Sequence, residues 1–456
     1  MGILYNKAMR AFKRKIYSQF LEWKNEYDGN TALLVEGARR IGKSTIVEEF
    51  GKNEYRSYIL IDFAFASNNI KNLFYNLSND SSDLDEFFTL LQFYTKKKLF
   101  DRKSLIIFDE IQSFPLARQA IKILVKDHRC DYIETGSLIS IKENVKDILI
   151  PSEEQKIQMY PMDYEEFLWA IGNTTSYEMG REIFETKKSF GDAINRELMR
   201  NFRLYMIIGG MPQTVKTFIE TSNFELVDKI KRNILTLYEN DFMKFDSTGK
   251  TSLIFDHIPA ELQKNSSRYQ VSSVLENTRA STMLEKLAKL FDSKTVNVAY
   301  HANNPEIGLS QNIDLEKFKL FVCDTGLFIT LCFKNKSFTE NIIYEKLLSN
   351  KLNSNLGYVY ENIIAQMLKT NGNELYYHTF KSETSNHNYE IDFLLSDKNK
   401  TCPIEVKSSR YREHKSLDIF TKKFSKQVSK RYIIHTKELR KEGDILYLPP
   451  YLVPFL

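Results

Sequence analysis

The sequence predicts an α/β protein: a parallel sheet, a helical middle and a smaller α/β region towards the C-terminal end. Three observations predict it. Apolar strand-like runs alternate with helical patterns up to about residue 160, the rhythm of a parallel sheet with crossover helices. A glycine-containing turn, Gly37-Ala38-Arg39-Arg40-Ile41-Gly42-Lys43-Ser44, joins the first such run to the first such helix. Strand patterns return near the end, with Glu405 and Lys407 at alternate positions of one of them.

A chain of 456 residues is too long for one core, and two to four domains are expected. A hydrophobic content of 42% beside 27% charged residues is ordinary for a globular protein. The net charge of +5 says little about partners. Its distribution says more, because Thr401–Arg431 alone carries nine basic residues against three acidic ones. Such a run fits a solvated helix face and an anion-binding face equally well. Cys130, Cys323, Cys332 and Cys402 are scattered, with neither metal-ligand spacing nor a disulfide framework, so a reducing cytoplasmic setting is expected. Lys7, Arg10, Lys13, Arg14 and Lys15 interrupt any signal-like apolar stretch. Phe12, Ile16 and Phe20 instead recur at i, i+4 and i+8, predicting an amphipathic helix packed on the body. No apolar run approaches the ~18 residues of a membrane span, so no membrane partner is expected.

Ala32-Leu33-Leu34-Val35 reads as a buried strand, and Thr45-Ile46-Val47-Glu48-Glu49-Phe50 as the opening turns of a helix. The turn between them fits G-x-x-x-x-G-K-[ST] at every fixed position. Its glycines let the backbone wrap close to phosphates, while amide N–H groups at the helix start point inward. Gly37, Ala38, Arg39, Arg40, Ile41, Gly42, Lys43, Ser44 and Thr45 are therefore the candidate ATP-binding residues. Lys43 would reach the β- and γ-phosphates, and Ser44 would ligate Mg²⁺.

Tyr58-Ile59-Leu60-Ile61 is the next strand candidate, followed by a helix over Leu84–Tyr94 that Ser82 would cap, with Asp85 reaching back. Leu105-Ile106-Ile107-Phe108 then reads as a buried strand ending in Asp109-Glu110-Ile111-Gln112. Ligands of parallel sheets sit at the carboxyl ends of strands, which places both carboxylates at the nucleotide. Asp109 would hold Mg²⁺, and Glu110 would orient and polarise the attacking water. Tyr132-Ile133-Glu134-Thr135 ends in Gly136-Ser137, making Ser137 (or Thr135) a candidate contact for the γ-phosphate or the water; a helix cap is the alternative reading.

With these motifs in place, the chain resembles the AAA-type ATPases of the archaeal-ATPase-like group, which carry a C-terminal domain of unknown function with a restriction-endonuclease-like fold. The resemblance rests on the turn at 37–44, Phe108-Asp109-Glu110-Ile111-Gln112, Thr135-Gly136-Ser137, Tyr160-Pro161-Met162-Asp163-Tyr164-Glu165-Glu166-Phe167 and Gly209-Gly210-Met211-Pro212. It continues through the C-terminal motifs below and so spans nearly the whole chain.

Asp163 and Glu166 form a capping-box signature, and a mostly helical pattern follows to about Phe245. A helical lid over the nucleotide is the expected role, and the resemblance implies the same. Helical patterns at Leu253–Lys264, Ser272–Thr278 and Ser281–Phe291 precede strands at Thr295–Tyr300 and Phe318–Val322. Three helices and a hairpin suggest a winged helix whose third helix would enter a DNA groove, yet that helix offers only Lys286 and Lys289 as basic contacts. A structural connector is the competing reading.

Near the end, Glu361 falls in a helical pattern over Gly357–Leu368, Asp392 in a strand over Tyr389–Leu395, and Glu405 and Lys407 in a strand over Pro403–Lys407. Residues i and i+2 of a strand share a face, so Glu405 and Lys407 point together, and a hairpin would bring Asp392 opposite them. Metal-assisted phosphodiester hydrolysis needs such a set: Asp392 and Glu405 on Mg²⁺, with Lys407 orienting water. The spacing resembles the PD-(D/E)xK nuclease signature, with Ile391 in place of the proline and Glu361 matching that family's helix glutamate as a third metal-site residue. A salt-bridged strand pair fits the same pattern.

The expected architecture is thus a P-loop NTPase parallel sheet (1–162), a helical lid (163–246), a winged-helix-like domain (247–345) and a small PD-(D/E)xK nuclease-like α/β domain (346–456). The expected function is ATP hydrolysis with Mg²⁺, with Lys43, Glu110 and Lys407 in catalytic roles. It would be coupled to DNA or RNA through the winged helix and the C-terminal basic region. The alternative is an ATP-dependent switch or a defence or signalling ATPase whose C-terminal domain binds without chemistry. An arginine from a neighbouring subunit of a homo-oligomer, or from the lid, would complete the ATP site; Arg39 and Arg40 lie in the loop itself.

Overall fold

A computed structural model of the chain describes residues 11–78, 83–138, 150–264, 266–275, 280–306, 308–335, 339, 341–349, 357–382, 388–408 and 412–456. The chain divides into two compact units, residues 1–160 with 292–294 and residues 161–291 with 295–456.

The first unit is built on five parallel strands: β1 (Ala32–Glu36), β2 (Ser57–Asp62), β3 (Ser104–Asp109), β4 (Asp131–Gly136) and β5 (Glu154–Gln158). Their order is β2-β3-β4-β1-β5, all pairs parallel as the alternation of patterns predicts. Strands β3 and β4 are buried throughout, which is why they read as unbroken apolar runs rather than alternating ones. One side of the sheet is closed by Phe63, Phe74, Phe87 and Phe108, whose rings meet edge to face at centroid distances of 5.2–5.6 Å. The helix Ile16–Tyr27 buries Ile16, Phe20 and Trp23, while Phe12 precedes its first turn. The helix Leu84–Thr95 is capped by Asp83, which accepts from the Asp85 N–H; Ser82, the expected cap, lies outside the described residues.

In the second unit, helices run from Tyr164 to Phe245, so the segment expected as a lid is helical as read. The capping box is present: Asp163 accepts from the Glu166 N–H at 2.8 Å, and Glu166 from the Asp163 N–H at 3.1 Å. Gly210 holds the next junction, its N–H donating to Asp324 Oδ2 at 2.5 Å and its carbonyl accepting from Met162 at 2.7 Å. The pattern at Leu253–Lys264 resolves into two helices, Lys250–Asp256 and Ile258–Gln263. Pro259 explains the break, since a proline is at home in a first turn and not in a helix interior. Of the pattern at Ser272–Thr278, Val271–Val274 is helical and residues 276–278 lie outside the described residues.

An eight-stranded mixed sheet completes the unit: β6 (Val296–Ala302), β7 (Ile313–Val322), β8 (Leu375–Lys381), β9 (Asn388–Asp397), β10 (Lys400–Val406), β11 (Arg431–Ile434), β12 (Arg440–Glu442) and β13 (Ile445–Leu448). Its order is β12-β13-β11-β10-β9-β8-β6-β7, so the hairpin expected as a wing lies within a larger sheet. The hairpin β6–β7 exists, but β6 also pairs in parallel with β8 through Ala299, Tyr300 and His301. A wing would leave that ladder open to solvent; here it is a shared one. Residues 246 and 345, the expected inner boundaries, both fall within the second compact unit.

Asp228 anchors the helices of this unit. Fully buried, it accepts from Tyr344 Oη at 2.6 Å, Arg232 Nε at 2.8 Å, the Thr339 N–H at 2.9 Å and Thr330 Oγ1 at 3.0 Å. Burial alone would raise its pKa; the bonds from Tyr344 and Arg232 outweigh burial and hold it below the ordinary carboxylate range. One turn on, Lys231 is also fully buried, donating to Ile207 O at 3.1 Å and Tyr344 Oη at 3.0 Å. Burial pushes its pKa down to about 8 from 10.5, against the pull of Asp228 and Asp324. Between those two pH values the native state binds fewer protons than the unfolded chain, so this group makes stability rise with pH in that window. We therefore expect the unfolding midpoint of wild type to gain on that of Lys231→Met as pH rises from about 8 to 10. A gap between the two proteins that stays constant over this range would refute the assignment.

Candidate ATP site

Because β4 stands between β1 and β3, the turn after β1 meets the carboxyl tips of β3 and β4. Two glycines shape the turn. Gly42 sits at φ 95°, a region that side chains disfavour, and a Cβ on Gly37 would lie 2.4 Å from the Met159 carbonyl oxygen. The helix Lys43–Glu54 starts directly from Gly42, which aims its first N–H groups into the turn. Lys43 is buried, and its Nζ donates to the Gly37 and Ala38 carbonyls at 2.9 Å each. Ala38 and Ile41 are buried, Arg39 is half-buried, and Arg40 and Thr45 are exposed.

Asp109, at the tip of β3, is where the elements converge. Ser44 Oγ donates to its Oδ1 at 2.9 Å, and Thr135 Oγ1, from the tip of β4, donates to the same oxygen. Of the two candidate hydroxyls at the end of β4, Thr135 bonds to Asp109, and Ser137 is buried just past the strand. Ser44 and Asp109 are the expected oxygen ligands of Mg²⁺, and their mutual 2.9 Å approach puts both on one small volume, so the pair fits that ion. Glu110 follows at φ 51°, a left-handed backbone that turns its side chain away from the strand direction. Gln112 Nε2 donates to Glu110 Oε2 at 2.5 Å, fixing the carboxylate from within its own loop.

Sequence reasoning missed Arg14. Its guanidinium is buried and donates to Ile41 O at 2.9 Å and Tyr160 O at 2.7 Å, tying the phosphate turn to the exit of β5. Those partners lie 27 and 146 residues away, so no local pattern marks the residue.

The C-terminal residues Asp392, Glu405 and Lys407 are also brought together. Strands β9 and β10 are antiparallel in a register that sets Asp392 beside Glu405, and the Val406 N–H donates to Asp392 Oδ2 at 2.6 Å. Lys407 Nζ lies 2.6 Å from Glu405 Oε1, while the buried Glu405 Oε2 has no hydrogen-bond partner. Glu361, on the helix Gly357–Thr370, faces a residue the sequence did not flag: Lys319 of β7, with Nζ 4.0 Å from Glu361 Oε2 and 2.5 Å from Glu390 Oε1. Burial raises the pKa of Glu361 to about 8 against the lowering pull of Lys319, and burial likewise raises Glu390, Asp392 and Glu405. Among the described residues, no three His, Cys, Asp or Glu side chains are placed to hold a metal ion. Lys319, which was not part of the expected Glu361–Asp392–Glu405 magnesium set, lies against Glu390 and Glu361 at this cluster.

Residues 29–168 match the family model of an AAA domain, residues 199–337 that of a domain of unknown function (DUF8612), and residues 356–451 that of another (DUF4143). The segment holding the phosphate turn is thus a P-loop ATPase domain of AAA type. No curated protein matches the chain. Among solved structures, the chain is similar to the Walker-type ATPase PABY2304 of Pyrococcus abyssi, at 16% identity and a TM-score of 0.40, covering 71% of this chain and 96% of that one. It is also similar to the signal transduction ATPase with numerous domains PH0952 of Pyrococcus horikoshii, at 11% identity and 0.27, covering 80% and 46%. RuvB of Thermotoga maritima matches at 13% and 0.26, covering 62% and 89%. Among the described residues, no helix is long and apolar enough to cross a membrane.

Proposed function

We propose that the chain binds ATP with Mg²⁺ and hydrolyses it. In this reading the nucleotide state regulates a C-terminal unit that binds nucleic-acid backbone without cutting it. The observation that carries the ATPase reading is the convergence of Ser44 and Thr135 on Asp109, with Glu110 next in the chain and Lys43 inside the turn. Lys43 would move its ammonium from the Gly37 and Ala38 carbonyls to the β- and γ-phosphates, while turn N–H groups hold the remaining oxygens. Glu110, kept in place by Gln112, would accept a hydrogen bond from the attacking water and align it with the γ-phosphorus. Thr135 would hold Asp109 in orientation. Ser44 and Asp109 would hold Mg²⁺, which would supply charge neutralisation for the phosphates.

Support for nucleic acid as the partner is the cluster of exposed bases Arg412, Lys415, Lys422, Lys423, Lys426 and Lys430 on and around the helix Lys415–Lys423. Such a surface binds phosphate backbone by counterion release and loses affinity steeply with salt. The deciding experiment measures ATP turnover with and without DNA and RNA, for wild type and Lys43→Ala. Wild type is expected to turn over ATP, and Lys43→Ala to lose at least about 10²-fold. Turnover that survives in Lys43→Ala would overturn the ATPase reading. Nucleic acid that neither binds in a salt-dependent way nor changes turnover would overturn only the choice of partner.

A further inference from the structure

We propose that Lys319 is the built-in cation of the carboxylate cluster of the second unit, standing where the sequence pattern suggests a divalent metal, so that this centre binds no metal. Its Nζ lies 2.5 Å from Glu390 Oε1 and 4.0 Å from Glu361 Oε2, and its side chain is only 5% exposed. Part of the remaining ligand capacity is taken as well, leaving Glu405 Oε2 without a hydrogen-bond partner among the described residues. Asp392 accepts from the Val406 N–H, and Lys407 sits on Glu405. The backbone explains how a residue of β7 reaches a cluster centred on β9. Lys319 is in register with Ala299 of β6, a fully buried residue with only a methyl group, and the lysine's Nζ lies 5.4 Å from the Tyr377 ring centroid. Cross-strand neighbours share a face, so the small Ala299 leaves room for the longer side chain to cross.

The physics favours the lysine over an incoming ion. A divalent cation entering beside Nζ would meet its charge at close range in a poorly solvated site. Displacing the ammonium would leave it buried and unpaired, which costs several kcal/mol. Lysine offers three donors and a single positive charge, enough to satisfy Glu390 and Glu361 without a metal's demand for further oxygens. The centre also straddles two matched segments: Lys319 falls in residues 199–337, and the carboxylates in residues 356–451.

The test titrates Mn²⁺ into full-length, nucleotide-free protein and follows bound metal by electron paramagnetic resonance. Wild type is expected to show no Mn²⁺ binding that Asp392→Asn removes. Lys319→Met is expected to gain one site, at least about tenfold tighter than anything in wild type and lost again when Asp392→Asn is added. Lys319→Arg, which keeps the charge, should behave as wild type. Saturable Mn²⁺ binding by wild type that vanishes in Asp392→Asn would overturn the proposal, as would a folded Lys319→Met that binds no more metal than wild type. Should Lys319→Met fail to fold, wild type against Asp392→Asn still decides. ATP turnover in the same samples reports separately on the first unit.

Discussion

Glu110→Gln is expected to lower ATP turnover by about 10²–10⁴-fold while nucleotide affinity stays near that of wild type. The substitution keeps size and hydrogen-bonding reach but removes the negative charge proposed to polarise the attacking water. It leaves untouched the turn residues proposed to grip phosphate, and Ser44 and Thr135 still meet at Asp109. Binding and hydrolysis should therefore separate, measured by a fluorescent nucleotide titration beside phosphate release. Lys43→Ala should damage both. Were Glu110→Gln to keep wild-type turnover, the water would have to be activated elsewhere, and the left-handed turn at Glu110 would need a purely structural explanation.

The largest expected stability loss belongs to Asp228→Ala. Four donors share this carboxylate, and removing it strips Arg232 of its ion-pair partner and leaves the buried Lys231 with Asp324 alone as counter-charge. Breaking one partner of a buried charged set costs about 3–5 kcal/mol, because the remaining charge stays buried and unpaired. Urea denaturation of the full chain should show that loss, and Asp228→Asn a smaller one, since the amide still accepts from Tyr344 and Thr330. A loss under about 1 kcal/mol for Asp228→Ala would mean that the cations relax into water and the network is not held by this group.

What the sequence could disclose follows from how local each feature is. The phosphate turn was legible because strand, glycines, lysine and helix start are contiguous, and Asp109-Glu110 because a buried strand ends there. Thr135 against Ser137 was not settled, since only the register of β4 beside β1 and β3 decides which hydroxyl reaches Asp109. The hairpin β6–β7 is legible as a hairpin, but its place in a larger sheet is not. Its periodicity is local, whereas its third partner, β8, begins more than fifty residues after the hairpin closes. Lys319 was invisible for the same reason. In the run Asp314-Leu315-Glu316-Lys317-Phe318-Lys319 it resembles any solvated strand lysine, and only the carboxylates of β9 and the helix Gly357–Thr370 bury it.

The ladder between β6 and β8 bears on how such a chain can be inherited. Its two strands belong to different matched segments, so a recombination event between residues 337 and 356 would separate partners that complete one another's backbone pairing. Either segment expressed alone would therefore expose at this seam a strand edge that the full chain keeps paired.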